Sequence, residues 1–394
     1  MKTDRFILFT FFALATAFAS AQESYKYLSL DMQKMEQMKK DIKTGNNEAQ
    51  AYLSDLKSKA ESAVKNGPYS VTSKKAVPPS GDKHDYLSMG PYWWPDPSKP
   101  DGKPYIRRDG EINPERNDYS DHSSLGKLTS AVSTLGLAYY YTGDDEYVKQ
   151  AEKLLTVFFI DPETKMNPNL KYGQFIPGIC DGRGIGIIET ASLSEMLQGV
   201  ALLSDSPAWS KDVHAQLQKW IGDYLHWLQT DAYGIDERNA KNNHGTHYDA
   251  QSLSMYLFLN DVKGAREHIA KYTIPRMEKQ IKSDGSMPLE LARTKSWGYD
   301  NMNMRGFIQI AMLAEKIDVD LWHYQNHGQM YIKSMIDWFI PYLKKEKEWT
   351  WKQIVPAKVT EITPVLEIAA KRYNDSSYLD LIKNLQPIHK NITK

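Results

Sequence analysis

The chain has 394 residues, 41 % of them apolar, and 49 Lys and Arg balance 49 Asp and Glu. That is enough for one large domain or two average ones, and the zero net charge excludes a global basic field for nucleic acid or for an anionic membrane. Any anionic ligand has to be met by a local cluster of donors and cations.

In chain order, the first segment is MKTDRFILFTFFALATAFASAQES. Lys2 and Arg5 precede an apolar stretch from Phe6 to Phe18, and Ala17, Ala19 and Ala21 follow in A-x-A spacing. This is the pattern of a cleaved secretory signal peptide, too short to span a membrane. Cleavage is expected after Ala21, or after Ala19, leaving residues 22–394 as one domain. The rest of the chain has no run of ~18 apolar residues, so a soluble protein exported to the periplasm is expected. Cys180 is the only cysteine, so no intrachain disulfide can form, and a chain of this size can rely on its core instead.

The following residues read as helix after helix. Leu125, Leu128, Val132, Leu135 and Tyr139 are spaced 3, 4, 3 and 4 apart, which is one helix face. YTGDDE then breaks the pattern, and Tyr147, Ala151, Leu155 and Phe158 open another helix. Val213, Leu217, Trp220, Tyr224 and Leu228 mark a further one. Helices are also expected at 30–43, 46–65, 185–203, 249–259, 262–282, 302–316, 329–345, 361–373 and 377–386. No convincing alternating strand appears. Repeated helix–turn–helix without a strict sequence repeat implies stacked αα-hairpins in an all-α fold, closed into one ring.

Two segments resist this pattern. Residues 67–120 contain PPSGDKHDY, SMGPYWWPDPSKPDGKPY and IRRDGEINPERNDY, dense in Pro and Gly but also in Tyr and Trp; residues 161–186 are similar. Long irregular stretches in a compact domain are usually functional, and both are expected to be ordered loops lining a cleft. His84 and Asp85 could suggest a metal pair, but no further ligand stands at useful spacing, so no metal and no cofactor is expected. The ten Trp and 24 Tyr suit either a core of large rings or stacking on sugar rings.

The densest polar cluster is NNHGTHYD, residues 242–249, just before the apolar run AQSLSMYLFL. Asn and His there could simply cap a helix beginning near Asp249. Equally, Asn243 could donate its amide to a carboxylate, and His244 could move a proton near neutral pH. In LARTKSWGYDNMN, Arg293 and Tyr299 stand six apart beside Gly298 and read as a loop.

Together, PPSGDKHDYLSMGPYWWPDP, GKPYIRRDGEINPE, the stretch from YYTGDDEY to KYGQ, GRGIGIIE and NNHGTHYD resemble the alginate lyase family of polysaccharide lyases, most closely its Bacteroides-type branch. The resemblance runs over about half the chain, residues 67–250. It implies an (α/α) toroid of six or seven hairpins and β-elimination of uronate polymers. Elimination requires neutralising the C5 carboxylate, removing H5 and protonating the leaving O4. Carried over residue by residue, Asn243 and His244 are the family's Asn–His pair, Arg293 is a carboxylate clamp, and Tyr299 is proton donor, either alone or as base as well. Trp93, Trp94, Arg183, His247 and Tyr248 are candidates for binding substrate. The expected partner is an anionic uronate polysaccharide acted on by a monomer. Mixed alginate is the first choice and glucuronan the second, because mannuronate and glucuronate need syn elimination whereas guluronate needs anti. A glycoside hydrolase using Asp181, Glu189, Asp249 or Glu290, and a non-catalytic glycan-binding protein, stand as the alternatives.

Overall fold

A computed structural model describes residues 25–385; the expected signal peptide and its cleavage site lie outside the described residues. The helical periodicity is realised as α1 Met32–Lys43, α2 Asn47–Lys65, α3 Asp121–Thr142, α4 Asp145–Leu155, α5 Leu193–Leu203 and α6 Lys211–Thr230. They are followed by α7 Ala232–Arg238, α8 Asn243–Phe258, α9 Val262–His268, α10 Ile274–Gln280, α11 Pro288–Leu291, α12 Ser296–Glu315, α13 Tyr331–Leu343, α14 Thr363–Tyr373 and α15 Ser377–Leu385. Several ends carry their own signals. Asp31, Asn46, Asp144 and Ser210 cap the helices that follow them through their side-chain oxygens. Gly143, at φ +74°, ends α3 in the left-handed conformation.

The helices form an (α/α) toroid. The helices α3, α5, α8 and α12 pack successively against one another, while α2 and α4 lie against α3, α9 against α8, and α13 against α12. Of the 16 residues of α8, 13 are buried, so this helix lacks a solvent face and belongs to the inner layer. The contact between α3 and α5 is unusually close: a Cβ on Gly136 would sit 2.5 Å from the Gly199 carbonyl oxygen. Any side chain at either glycine would force the two helices apart. The first described residues tie distant parts of the ring together. Tyr27 donates to Asp205 after α5 at 2.8 Å, and Lys34 pairs with Glu367 on α14 at 2.8 Å.

Both long loops are ordered, as expected, and hold each other. β1 (Leu87–Met89) pairs in parallel with β4 (Tyr172–Phe175), and β2 (Trp93–Trp94) pairs with β3 (Ile106–Arg107). His84 Nδ1 lies 2.6 Å from the Lys165 carbonyl, and Asn167 and Asn169 both donate to Asp85. The His84–Asp85 pair therefore fastens one loop to the other. Beneath them, Lys74 and Asp121 form an ion pair at 2.9 Å with almost no exposure. Burial raises the Asp121 carboxyl to about 6, against the pull of Lys74, and the same carboxylate accepts the Leu87 N–H.

Two expected boundaries shift, and both matter to the site. The helix expected from 249 begins at Asn243, and the one expected from 302 begins at Ser296. Tyr299 therefore stands on the first turn of α12, and Arg293 alone lies in the preceding turn. Neither helix is capped by its own neighbours. The first N–H of α8 goes to Glu290 Oε1 at 2.6 Å, and the Trp297 N–H of α12 goes to Gln353 Oε1 at 3.1 Å.

Candidate active site

The N-terminal ends of α8 and α12 and the two loops enclose a cleft of about 480 Å³. Asn243, His244, Arg293 and Tyr299 all line it, together with Tyr92, Trp93, Arg116, Arg183 and Glu189.

On the α8 wall, His244 Nδ1 lies 2.9 Å from Oε1 of Glu237, whose side chain is fully buried. Burial pushes the Glu237 carboxyl up, and the adjacent imidazole pulls it back down. With Nδ1–H donated to this carboxylate, the lone pair of His244 sits on Nε2. The loop carrying these residues is held from behind. Asp249, fully buried, receives Arg276 Nε at 2.8 Å and lies 2.8 Å from His268 Nε2. Arg276 also donates to the carbonyls of Ala240 and Arg238 at 2.7 and 2.6 Å. Gly245 allows this, because a Cβ there would lie 1.8 Å from an Arg276 nitrogen. The Asn243 amide donates to Glu290 Oε2 at 2.7 Å, so one of its two amide hydrogens is already engaged and its Oδ1 has no partner among the described residues.

On the α12 wall, the Tyr299 and Tyr92 hydroxyls are 2.7 Å apart. The Arg293 guanidinium lies over the Tyr299 ring, 3.7 Å from its centroid. Burial, then the bond to Tyr92, pushes the Tyr299 phenol well above its ordinary value, and Arg293 offsets only part of this. Arg293 favours the phenolate but is outweighed, and the resting Tyr299 carries its proton. Arg293 is also not a free clamp. Its Nε and Nη2 bond Asp109 at 3.1 and 2.7 Å. Burial opposes ionisation of Asp109, but the bonds from Arg293 and Thr294 hold this carboxylate below the usual range.

The third wall carries the cation that Arg293 does not supply. Arg183 is anchored to neutral Gln174, through the backbone carbonyl at 3.0 Å and the side chain at 2.8 Å, and lies over Trp93. Glu189 is the one acid lining the cleft among the described residues, and it accepts Tyr86 and Ser88 hydroxyls at 2.7 and 2.6 Å.

Three expected binding residues are not brought to the cleft. Trp94 alternates with Trp93 along β2; its indole donates to the Glu111 carbonyl at 3.0 Å and its ring carries Arg108. Tyr248 is 1 % exposed, with its hydroxyl donating to the Leu228 carbonyl at 2.9 Å; it is core. His247 is three residues, just under one helical turn, from the cleft-facing His244 and points inward beside Gly306. Burial, then the nearby His244, lowers its imidazole to about 4. An unfolded His binds its proton near pH ~6.5, so the unfolded state takes up more protons between these values and stability falls as pH drops through that window. His247→Leu is expected to flatten the decline of melting temperature between pH 6.5 and 4; an identical decline in the variant would refute the burial argument.

Sequence reasoning missed Tyr92, read only as one aromatic of an ordered loop, along with Glu237, Arg116 and His122. Glu237 lies seven residues before His244, on the far side of a helix end, so spacing alone gave no sign of their pairing.

A family model described as alginate lyase matches residues 70–349. The chain is similar to the crystal structure of an alginate lyase from Bacteroides ovatus, at 36 % identity over 91 % of this chain and 94 % of that one, with a TM-score of 0.87. It shares its fold with alginate lyase A1-III from Sphingomonas species A1, at 15 % identity over 88 % of both chains and a TM-score of 0.52. A variant of A1-III complexed with a tetrasaccharide matches at 13 % identity over 88 % of this chain and 87 % of that one, with a TM-score of 0.56. No curated protein matches.

Proposed function

The chain belongs to the alginate lyase family of polysaccharide lyases, and from that membership we propose that it cleaves 4-linked uronate polymers, alginate first, by β-elimination in the cleft between α8 and α12. The observation that carries this reading is the convergence of a protonated Tyr299, an Nε2-basic His244 and an Arg183 without a carboxylate partner on one cleft.

Each requirement of the reaction finds a group. The substrate carboxylate must be neutralised before H5 can be removed, and Arg183 with the remaining Asn243 N–H supplies charge and a donor. Arg293, its charge shared with Asp109, positions the Tyr299 ring by stacking on it. His244 Nε2 takes H5, the Glu237 carboxylate stabilising the imidazolium that forms. Tyr299 then protonates the leaving O4, and Tyr92 steadies the phenolate it leaves behind. His244 is the base and Tyr299 the acid for both polymers: the syn geometry of mannuronate has them act from one face of the sugar, and the anti geometry of guluronate from opposite faces.

The hydrolase reading finds less support. Hydrolysis needs two carboxylates flanking the bond. Asp249 and Glu290 are buried in the bonds described above, and Asp181 borders a separate surface pocket.

Incubation with polymannuronate, polyguluronate and glucuronan, followed by ultraviolet absorbance, tests the proposal. A rise from the unsaturated end on at least one polymer is expected, with alginate polymers ahead of glucuronan; sugar release without absorbance would mean hydrolysis and overturn the reading. Because Arg183 and Asn243 come from the protein itself, EDTA is expected to leave the rate unchanged. A loss restored by Ca²⁺ would show that the neutraliser has been misassigned.

A further inference from the structure

A second groove, of about 760 Å³, lies between residues 238–241, α10 and α11, behind the wall that carries Asn243. Its volume is that of a ligand site, within the range of ~300–1,000 Å³. Six cations line it. Arg276 is paired with Asp249, whereas Arg238, Lys241, Lys271, Lys279 and Lys282 form no ion pair among the described residues. Of the acids in its lining, Glu278 accepts Tyr324 and Asn326 at 2.7 Å each and offsets part of this charge through Lys279, while Glu290 is bonded by Asn243. The Arg238 Nε is buried without a hydrogen-bond partner, although its guanidinium lies over the Tyr272 ring at 4.6 Å. Lys271 approaches the same ring at 5.2 Å. Beside them Leu289 is 52 % exposed.

Five cations without an ion-pair partner around one concavity, with Glu278 the one charged acid set against them, repel one another. A ligand with regularly spaced negative charges would relieve that repulsion. An apolar floor with a cationic rim also matches one chemistry in particular: a sugar ring with an apolar face and a carboxylate on every unit. No histidine lines the groove, so nothing there repeats the catalytic arrangement.

We propose that this groove is a second polyuronate-binding site, back to back with the catalytic cleft, which holds the polymer without cutting it. The inference rests on the substrate class proposed above. Residues 238–244 connect the two sites: Arg238 and Lys241 face the groove, and Asn243 and His244 face the cleft.

The test uses electrophoretic retardation in gels containing alginate, with the Tyr299→Phe protein so that the polymer stays intact. Lys271→Glu with Lys279→Glu in that background should reduce retardation several-fold, and the corresponding Gln pair should give an intermediate loss. Gels with neutral dextran should show no retardation in any variant. A control pair on the exposed face of α2, Lys57→Glu with Lys65→Glu, should leave retardation unchanged. In the Tyr299-intact enzyme, the groove pair should raise KM for long alginate while leaving turnover of a short oligomer unaltered. Unchanged retardation in the groove variants, or an equal loss in the α2 control, overturns the proposal. The two readings fail separately: absence of unsaturated product from the parent enzyme counts against the lyase chemistry, whereas the gel comparison reports on the groove alone.

Discussion

Tyr299→Phe is expected to lower turnover on polymannuronate and polyguluronate by at least ~100-fold, the low end for a general acid–base group. The substitution removes one oxygen. The ring stays in place under Arg293, so the cation–π stack survives, and only the bond to Tyr92 is lost, worth ~1 kcal/mol. Folding and binding should therefore persist, and the loss should appear in kcat rather than KM. Because the resting phenol is protonated, its contribution is as an acid, so the loss should be similar on both polymers. Tyr92→Phe serves as the internal comparison: it removes the partner but not the donor and should cost much less. A Tyr299→Phe protein that melts normally and cuts both polymers at close to the parental rate would remove this tyrosine from the mechanism.

His244→Ala is expected to cost between ~100- and 10,000-fold on both polymers, because the protonated Tyr299 cannot take H5 in its place. Glu237→Gln separates position from charge. The amide can still meet Nδ1 at the observed 2.9 Å, so the ring should keep its place, but the imidazolium formed on proton abstraction loses its counter-charge. Turnover should fall by an intermediate amount and the acid limb of the pH–rate profile should move to lower pH. A merely structural glutamate would change the melting temperature and leave that limb where it was. Full activity in Glu237→Gln with an unmoved profile would show that the buried carboxylate plays no part.

The helical architecture was legible because it is written in local terms. The 3, 4, 3, 4 spacing from Leu125 to Tyr139 needs one buried face, and Asp31, Asn46, Asp144 and Ser210 mark helix starts with their own side chains. The two loops announced themselves through Pro and Gly that forbid regular structure alongside aromatics that oppose disorder. Asn243, His244, Arg293 and Tyr299 were legible as candidates because the resemblance lies in continuous motifs, and the structure brings all four to one cleft.

What tertiary structure decided is where those motifs sit and which atoms they leave free. The helix starts at Asn243 and Ser296 were invisible because their first N–H groups are satisfied by Glu290 and by Lys352 and Gln353, some 50 residues away in sequence. Neighbouring candidates were separated by geometry alone. The pleat of β2 sends Trp93 to the cleft and Trp94 away from it, and along α8 His244, on the first turn, lines the cleft while Tyr248, one turn deeper on the same side, is core. Partners across the chain changed roles as well. Asp109 pairs with Arg293, which leaves Arg183 as a cleft cation without a carboxylate partner, and burial outweighs Arg293 in holding the proton on Tyr299. A sequence specifies which groups are present, whereas hydrogen-bond partners and desolvation, which set their protonation and reach, depend on residues that only folding brings within a few ångströms of each other.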